Sequence, residues 1–304
     1  MSWIRKGLIY CPDGSIDWMN NSVLTPHPFM YDDDTIRIYA SFRDKEGMGR
    51  IGYIDLDAKN PKNILGISKE PVIDIGRPGT FNDNGMHMGE VIRVGDKVYM
   101  YYVGFQLVKR VKHFCFNGLA ISEDGGTTFK NYQEYPIMDR SDEGLFGRCI
   151  HTVIQENGVF RTWYATVYDW RMFDGKPYPV YDIRYCESSD GIHFPLHGQS
   201  IFRCGPNEYR IGRPRVRKLA NGKYEMRFTF DTINKEYRSG YAESDDGINW
   251  VRMDEKSGLI NVPGEFDSET ACYPCVQETK YGTYMFYDGN NMGRAGFGYM
   301  EWED

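Results

Sequence analysis

The residues of this chain that could carry out chemistry concentrate in loops beside short apolar strands. Carboxylates and arginines dominate the set, which comprises Asp83, Asp231, Asp267, Glu269, Arg43, Arg148, Arg171, Arg213, Arg215 and Arg294. Paired carboxylates act as acid and base, or as acid and nucleophile, when glycosidic bonds are cleaved. The planar guanidinium of arginine suits two-point recognition of phosphate or carboxylate. The alternative for each carboxylate is a turn, or an ion pair with one of these arginines.

Histidine and aromatic side chains occur in the same loops. His87 and His151 precede apolar strands, where a hydrogen-bonding wall residue is the alternative to a catalytic base, and Trp170 is suited to stack on a sugar face. Cys272 and Cys275 form a C-x-x-C pair, but a strand follows them, whereas a redox pair needs its first thiol at a helix N-terminus. No second cysteine pair completes a zinc site, so the sequence indicates neither a metal nor a cofactor.

Strands that recur at a near-constant interval must position these loops. A pair of aromatic-rich strands appears five times, and the central residues of the first strand, Ile38, Met100, Thr162, Met226 and Met285, lie 62, 62, 64 and 59 positions apart. A period of this length made only of strands indicates radial repetition, because one blade cannot bury both faces of its sheet. The sequence therefore predicts an all-β fold, a five-bladed β-propeller, in a single domain spanning residues 1–304.

The repeat also predicts where each loop lies. An inner strand and a tight turn precede each strand pair, and residues 122–129, 188–194 and 244–250 form acidic turns that we interpret as structural, because Asp side chains bond turn amides. Residues 7–10 are expected to pair with the last blade and close the ring, which removes exposed strand edges. The loops before the inner strands, and those between the second and third strands, should then meet at one axial pocket.

Composition narrows the possible partners. The 304 residues carry a net charge of −7, which argues against nucleic-acid binding, where a basic face supplies most of the affinity. No apolar run approaches the length of a membrane span, and the first residues lack the apolar core of a secretory signal. Seven cysteines at irregular spacing make a poor disulfide framework. We therefore expect a cytoplasmic protein without a membrane partner, and the oligomeric state stays open.

The layout resembles the five-bladed propellers of the glycoside hydrolase family 43, 32, 68 and 130 superfamily over nearly the whole chain. The segments that carry the resemblance are residues 18–21, 81–85, 239–250, 267–274 and 287–290. The later segments are similar to those of a bacterial subgroup of family-32-like propellers that accompanies genes for polysaccharide and sugar-nucleotide biosynthesis. The resemblance implies a carbohydrate in the axial pocket.

Departures from the family pattern bear on the chemistry. Family 32 enzymes carry an Asp nucleophile after Trp-Met-Asn, where this chain has Asn21, and an amide cannot serve as that nucleophile. The Arg-Asp-Pro motif has only a loose counterpart in residues 212–215, and Glu269 followed by Cys272 is faintly similar to the acid residue. Family 130 phosphorylases combine one acid with bound phosphate, which suits an arginine-rich pocket better.

We therefore expect a glycosidase-like or phosphorylase-like enzyme that acts on a glycosidic or sugar-phosphate linkage of an anionic or phosphorylated sugar. Asp83 and Glu269 are the expected acid and base. The expected binding residues are Asn21, Arg43, His87, Arg148, His151, Asp169, Trp170, Arg213, Asp231, Tyr273, Asn290 and Arg294, with Arg148, Arg213 and Arg294 holding the anionic group. The alternatives are a non-catalytic sugar-binding propeller, as Asn21 suggests, and a protein-interaction scaffold.

Overall fold

The computed structural model describes residues 2–303, so Met1 and Asp304 of the predicted domain 1–304 lie outside it. Nearly all the regular structure is strand. The strands are β1 Ser2–Tyr10, β2 Asn21–Met30, β3 Thr35–Arg43, β4 Gly49–Asp57, β5 Ile64–Ile67, β6 Met86–Val94, β7 Lys97–Leu107, β8 His113–Ser122, β9 Lys130–Asn131, β10 Gly147–Glu156, β11 Val159–Phe173, β12 Lys176–Ser188, β13 Gln199–Phe202, β14 Glu208–Lys218, β15 Tyr224–Thr232, β16 Tyr237–Ser244, β17 Val251–Arg252, β18 Cys272–Glu278, β19 Thr283–Asp288 and β20 Phe297–Glu303.

Helical structure within residues 2–303 is confined to short turns. These are the 3-10 turns Asp17–Met19 and Asp254–Lys256 and the single helical turn Asn290–Gly293. None of the helices in this range is long and apolar enough to cross a membrane.

The strands form five four-stranded antiparallel units, and a single parallel pair, Gly147 with Cys115, links the second and third of them. The predicted all-β propeller fold is confirmed, and this pairing is compatible with five blades. Blades one to four run in chain order as β2–β5, β6–β9, β10–β13 and β14–β17. Blade five combines β18, β19 and β20 with β1, so the two ends of the chain share one sheet. In that sheet Leu8 lies opposite Gly298 and Tyr10 opposite Phe297, which confirms the predicted ring closure.

The acidic turns join neighbouring blades. In the third blade Asp190 accepts hydrogen bonds from the backbone N–H of Ile192 and of His193, at 2.8 and 2.9 Å. The turn carbonyl of Gly191 then accepts a hydrogen bond from Tyr101 of the preceding blade, at 2.9 Å. Tyr39 bonds the carbonyl of Gly126 and Trp163 that of Gly247 in the same way. The turns therefore have the structural role that their sequence predicts.

Each inner strand carries a bulge where it passes the axis. The strand register skips one or two residues in every blade, around Pro26, Gly89, His151, Pro214 and Pro274. A bulge kinks its strand and re-aims the neighbouring side chains. At Gly89 a β-carbon would lie only 2.6 Å from the carbonyl oxygen of Tyr101 and 2.8 Å from that of Ile150. Glycine therefore lets the inner strands of blades two and three approach each other.

The ring closure includes a buried ion pair. Arg5 of β1 donates two hydrogen bonds to Asp267, at 2.5 and 2.8 Å, and Asp267 is fully buried. Tyr287 donates a third, at 2.9 Å. Asp267, one of the sequence candidates for chemistry, is thus engaged in joining β1 to the fifth blade.

Replacing Arg5 with Met should lower the free energy of unfolding by about 3–5 kcal/mol, because the buried Asp267 carboxylate loses its partner. The double variant Arg5→Met/Asp267→Asn should recover most of the loss, since the charge is removed with its partner. Urea denaturation of the four proteins of this cycle measures both effects.

The matched control is Lys6→Met on the same strand. Lys6 pairs with Glu301 and Glu303 at the solvent-exposed edge, at 3.0 and 2.8 Å, so its loss should cost at most about 1 kcal/mol. Equal losses for Arg5→Met and Lys6→Met would contradict the role assigned to the buried pair.

Candidate functional site

Five side chains at the bulges, one from each blade, form a ring around the axis. We call this set the waist ring: His27, Glu90, Thr152, Arg215 and Cys275, all buried. His27 Nε2 lies 2.8 Å from Glu90, and Arg215 Nη1 lies 3.7 Å from the same carboxylate. Burial opposes a charge on His27, but the Glu90 carboxylate outweighs it and raises the pKa of His27 to about 9. The waist ring is therefore polar and charged.

Three residues just before the waist ring have a strained backbone. Thr25, Arg213 and Tyr273 have φ values of 55°, 56° and 55°, and each directly precedes a proline. The left-handed region is unfavourable for side chains with a β-carbon, and most of all for a β-branched residue such as Thr25. Strain of this kind persists where the surrounding structure imposes it, commonly at binding and catalytic sites. The strained residues thus mark the face on which the inner strands begin.

Arg213 lies at the centre of this face, which we call the upper face. Its Nη1 donates to the carbonyl oxygen of Met88 at 2.9 Å, and its Nη2 lies 3.3 Å from His87 Nδ1. The guanidinium also lies over the ring of Tyr273, 4.9 Å from its centroid. Burial, followed by the charges of Arg213 and Arg43, lowers the pKa of His87 far below its ordinary value. A neutral His87 can accept the hydrogen bond from Arg213.

Arg43 and Arg294 add positive charge to the upper face. Burial lowers the pKa of Arg43, and Tyr273, Arg294 and Asp288 are the charged or ionisable groups that act on it next. Arg294 follows the helical turn Asn290–Gly293 and is exposed. Within residues 2–303, Arg43, Arg213 and Arg294 form no salt bridge, although thirty other ion pairs occur there. These guanidiniums are free to bind an anion.

An aromatic wall borders the upper face on the side of blades two and three. Ring centroids lie 4.8 Å apart for His87 and Phe105, 5.0 Å for Phe105 and His113, and 5.9 Å for His113 and Trp170. The wall stands on the extended hairpins β7–β8 and β11–β12. Trp170 Nε1 is buried without a hydrogen-bond partner in the described part of the chain. Its N–H can therefore serve a bound ligand.

Asp288 lies at the base of the upper face and is fully buried. The thiol of Cys272 donates to one carboxyl oxygen at 2.9 Å, and the N–H of Thr25 donates to the other at 3.3 Å. Burial nevertheless raises the pKa of Asp288 to about 7. The sequence points to this residue only as part of the segment 287–290, because its unusual pKa arises from tertiary burial.

The two carboxylates expected to act as acid and base lie in different environments. Asp83 accepts hydrogen bonds from the N–H of Gly79 at 2.7 Å and from Asn84 Nδ2 at 2.5 Å, so it stabilises its own loop. The side chain of Glu269 is exposed, and its backbone N–H donates to Asn290 at 2.7 Å. No hydrogen bond joins the Asp83 and Glu269 side chains within residues 2–303.

Asn21 and Asn290 shape the loops of this face. Asn21 Nδ2 donates to the carbonyl oxygen of Asp44 at 3.1 Å, and Asn290 Oδ1 accepts the N–H groups of Glu269 and Thr270 at 2.7 and 2.9 Å.

His151 occupies a bulge position at the axis, and its Nδ1 is buried without a partner in the described residues. Burial and then the charge of Arg213 lower the pKa of His151.

Three other candidates from the sequence do not join this group, because they form ion pairs within the protein or lie at an exposed position. Arg148 is only 2% exposed and donates to Glu143 at 2.8 Å and to the carbonyl oxygen of Pro195 at 2.8 Å. Asp231 is buried and pairs with Arg210 at 2.8 Å. Asp169 is exposed beside Trp170 and accepts its backbone N–H. The structure thus groups Arg43, His87, Arg213, Tyr273 and Arg294, while Arg148 and Asp231 are neutralised by internal ion pairs.

Several solved structures share the fold of this protein. A structure described as "Glycoside hydrolase" superposes with a TM-score of 0.75 at 17% identity, covering 99% of this chain and 92% of that one. A putative glycosidase from Bacteroides thetaiotaomicron gives 0.72 at 12% identity, covering 99% and 96%. A structure described as "The GH130 family of mannoside phosphorylases contains glycoside hydrolases that target beta-1,2 mannosidic linkages in Candida mannan" also gives 0.72 at 12%, covering 99% and 94%. The chain therefore has a glycosidase-like β-propeller fold.

The sequence relatives define the family more narrowly. The chain is 32% identical over 299 residues to "Uncharacterized protein Rv1502" of Mycobacterium tuberculosis strain H37Rv, and the match covers 98% of both proteins. "Uncharacterized protein MT1551" of the CDC 1551 strain matches to the same extent. No protein-family model matches the chain. The chain belongs to the family of these two mycobacterial proteins.

The strained backbone at Arg213 predicts that a Gly variant is more stable than an Ala variant at this position, the reverse of the usual order. Because φ is 56° there, Arg213→Gly should be more stable than Arg213→Ala by about 1 kcal/mol, since glycine adopts left-handed conformations without a steric cost. Urea denaturation measures the difference. At Arg238, an exposed position of β16 outside the left-handed region, the order should be the usual one, with Ala more stable than Gly. The same order of stability for the Gly and Ala variants at both positions would refute a strained backbone at Arg213.

Asp288 should make the stability of the protein depend on pH. Its folded pKa of about 7 lies above the unfolded value of about 3.9, so the native state binds the extra proton between these values. Stability contributed by that proton is lost as the pH rises through this window. Asp288→Asn should reduce the slope of the unfolding free energy against pH by up to about 1.4 kcal/mol per pH unit between these two pKa values. Chemical denaturation from pH 4.5 to 8 measures this, and identical pH profiles for the two proteins would exclude the assignment.

Proposed function

We propose that the upper face binds an anionic or phosphorylated carbohydrate and that the protein acts on a glycosidic or sugar-phosphate linkage there. The observation that carries the proposal is the group formed by Arg43, Arg213 and Arg294, which have no carboxylate partner within residues 2–303. Neighbouring guanidiniums without a salt-bridge partner are unfavourable unless an anion joins them, and phosphate matches their planar geometry. The protein is acidic overall, so this local excess of positive charge is specific to the site.

The aromatic wall supports a sugar as the rest of the ligand. Its rings offer apolar faces, and the unpaired N–H of Trp170 offers a donor at the same place. The glycosidase-like fold supports the same class of ligand, as does the GH130 neighbour, whose description names mannoside phosphorylases and glycoside hydrolases of beta-1,2 mannosidic linkages. An axis plugged by apolar side chains would favour the interaction-scaffold alternative, so the charged waist ring disfavours it.

Phosphorolysis is the reaction that these residues suit best. A phosphate oxygen held by Arg43 and Arg213 would attack the anomeric carbon as the glycosidic C–O bond breaks, and an acid would give its proton to the departing oxygen. Glu269 is our candidate for that acid, because its side chain is exposed and not engaged in another interaction in the described structure. Asp83 is the second candidate, and its hydrogen bonds to Gly79 and Asn84 orient it.

A non-catalytic sugar-binding propeller is the second candidate function. Asn21 stands where the family 32 nucleophile would be, and its amide is engaged with the carbonyl oxygen of Asp44. Asp83 is likewise engaged in its own turn. In this alternative the arginines still bind the anion, but no bond is broken. A cytoplasmic location and a role in polysaccharide or sugar-nucleotide biosynthesis belong to the proposal in either form.

Binding and turnover can be tested separately. Inorganic phosphate and a panel of sugar 1-phosphates should raise the melting temperature of the wild type, by an amount equivalent to about 2.7 kcal/mol at 100 times Kd. The shift that the sugar 1-phosphates produce should disappear in Arg213→Gly, whose backbone is relaxed rather than strained. No shift with any phosphate-bearing probe at millimolar concentration would refute the anionic ligand.

Turnover is measured by mixing the protein with a phosphate-bearing probe that binds and with a panel of acceptor sugars. Phosphorus NMR then follows the conversion of the probe. Of Glu269→Gln and Asp83→Asn, the variant that replaces the acid should slow the reaction about 10²–10⁴-fold while binding persists, because it removes the positioned proton transfer and keeps the side-chain shape. Full activity in both variants would refute the acid assignments. Binding without turnover in the wild type would favour the non-catalytic alternative.

A further inference from the structure

A second axial cavity lies on the opposite side of the waist ring from the upper face. All five inner strands pass the ring in the same direction, so the residues that follow the ring line this lower end. The cavity has a volume of about 370 Å³ and is lined by residues of all five blades, including the waist ring itself. None of the residues expected from the sequence to bind substrate lines it.

The lining of the lower cavity carries an excess of positive charge. Its cationic side chains are His27, Arg93, Arg215, Arg217 and Arg227, against the two carboxylates of Glu90 and Glu225. With His27 protonated, which its pKa of about 9 supports at neutral pH, three positive charges are left uncompensated within the lining. An acidic protein of net charge −7 thus concentrates positive charge at a second place on its axis.

Each of the two carboxylates is already shared between cations. Glu90 lies 2.8 Å from His27 and 3.7 Å from Arg215. Glu225 lies 2.5 Å from Arg217 and 3.6 Å from Arg227. Arg217 also pairs with Glu278 outside the lining, and that carboxylate is mostly exposed. The internal pairs therefore do not neutralise the cavity.

Two arginines of the lining have no hydrogen-bonded carboxylate among residues 2–303. Arg93 donates only to the carbonyl oxygens of Met30 and Tyr31, at 3.1 and 2.9 Å. Arg227 is only 3% exposed, and its Nε has no hydrogen-bond partner. A buried guanidinium N–H without an acceptor is costly, so an acceptor supplied by a ligand would be stabilising.

The shape and composition of the cavity decide the chemical class of the ligand. Its volume lies at the lower end of the range for small-molecule pockets. Phe29 is the only aromatic residue of the lining, and Arg93 already covers its ring at 4.7 Å. A sugar ring would thus find no free aromatic face here, in contrast to the upper face. The charges favour a compact ligand that is mostly anion.

We propose that the lower cavity is a second binding site, for a compact anion that carries two or more negative charges on phosphoryl or carboxylate groups. The anion would bridge two blades, because Arg93 of blade two and Arg217 and Arg227 of blade four face one cavity. The site is independent of the proposed function, since no residue assigned to the upper face contributes to it.

Isothermal titration calorimetry of the full chain with pyrophosphate, and separately with citrate, tests the proposal at low ionic strength. Arg93→Gln and Arg217→Gln should each weaken binding about tenfold or more, because each removes a charge-assisted hydrogen bond. Arg93 has no carboxylate partner, so its loss leaves no unpaired acid and the variant should fold normally. Binding by only one probe supports the site and identifies its group, phosphoryl or carboxylate.

Two controls separate this site from the upper face and from nonspecific attraction. Arg238→Gln removes an exposed arginine that pairs only with Glu236, and it should leave the affinity unchanged. Arg213→Gly, which should abolish binding at the upper face, should also leave it unchanged. Failure of both probes to bind the wild type would overturn the proposal. So would binding that Arg213→Gly removes and Arg93→Gln preserves.

Discussion

The bulge that each inner strand makes at the axis is the constraint on which the rest of this structure depends. Five strands converge there, and four of the five bulges contain a proline or a glycine. At Gly89 a β-carbon would lie only 2.6 and 2.8 Å from neighbouring carbonyl oxygens. The kinks turn the next side chain of every blade into the waist ring. They also force Thr25, Arg213 and Tyr273 into left-handed backbone conformations. The waist ring, which separates the upper face from the lower cavity, therefore has the same origin as the strained backbone of the upper face.

Electrostatics assigns different roles to residues of the same type. Arg5 and Arg148 are matched by buried carboxylates and stabilise the ring of blades. Arg43 and Arg213 face the axis without such partners, and burial already disfavours the charge on Arg43. An arginine whose carboxylate partner lies within the protein has a structural explanation. For an arginine held near the axis without one, we propose a ligand.

The fold followed from the sequence because a β-propeller repeats its strand pattern at each blade. The aromatic strand pairs, the acidic turns and the closing segment before Tyr10 are local or periodic signals, and each was placed correctly. The buried state of Arg148 could not be inferred in this way, because it depends on Glu143 and on Pro195, 47 residues along the chain. The raised pKa of Asp288 likewise depends on burial by other blades. The prolines that follow Thr25, Arg213 and Tyr273 recur at matching places in their blades, and that signal could have marked the strained positions.

The central claim is that the unpaired arginines of the upper face hold the anionic part of a ligand. Crystals grown or soaked with a sugar 1-phosphate or inorganic phosphate test it most directly, because the position of phosphorus can be seen. The account predicts phosphate density within hydrogen-bonding distance of the Arg213 and Arg43 guanidiniums, with any sugar density extending toward Trp170. An upper face that contains only water at saturating probe, with these two guanidiniums turned away from the axis, would contradict it.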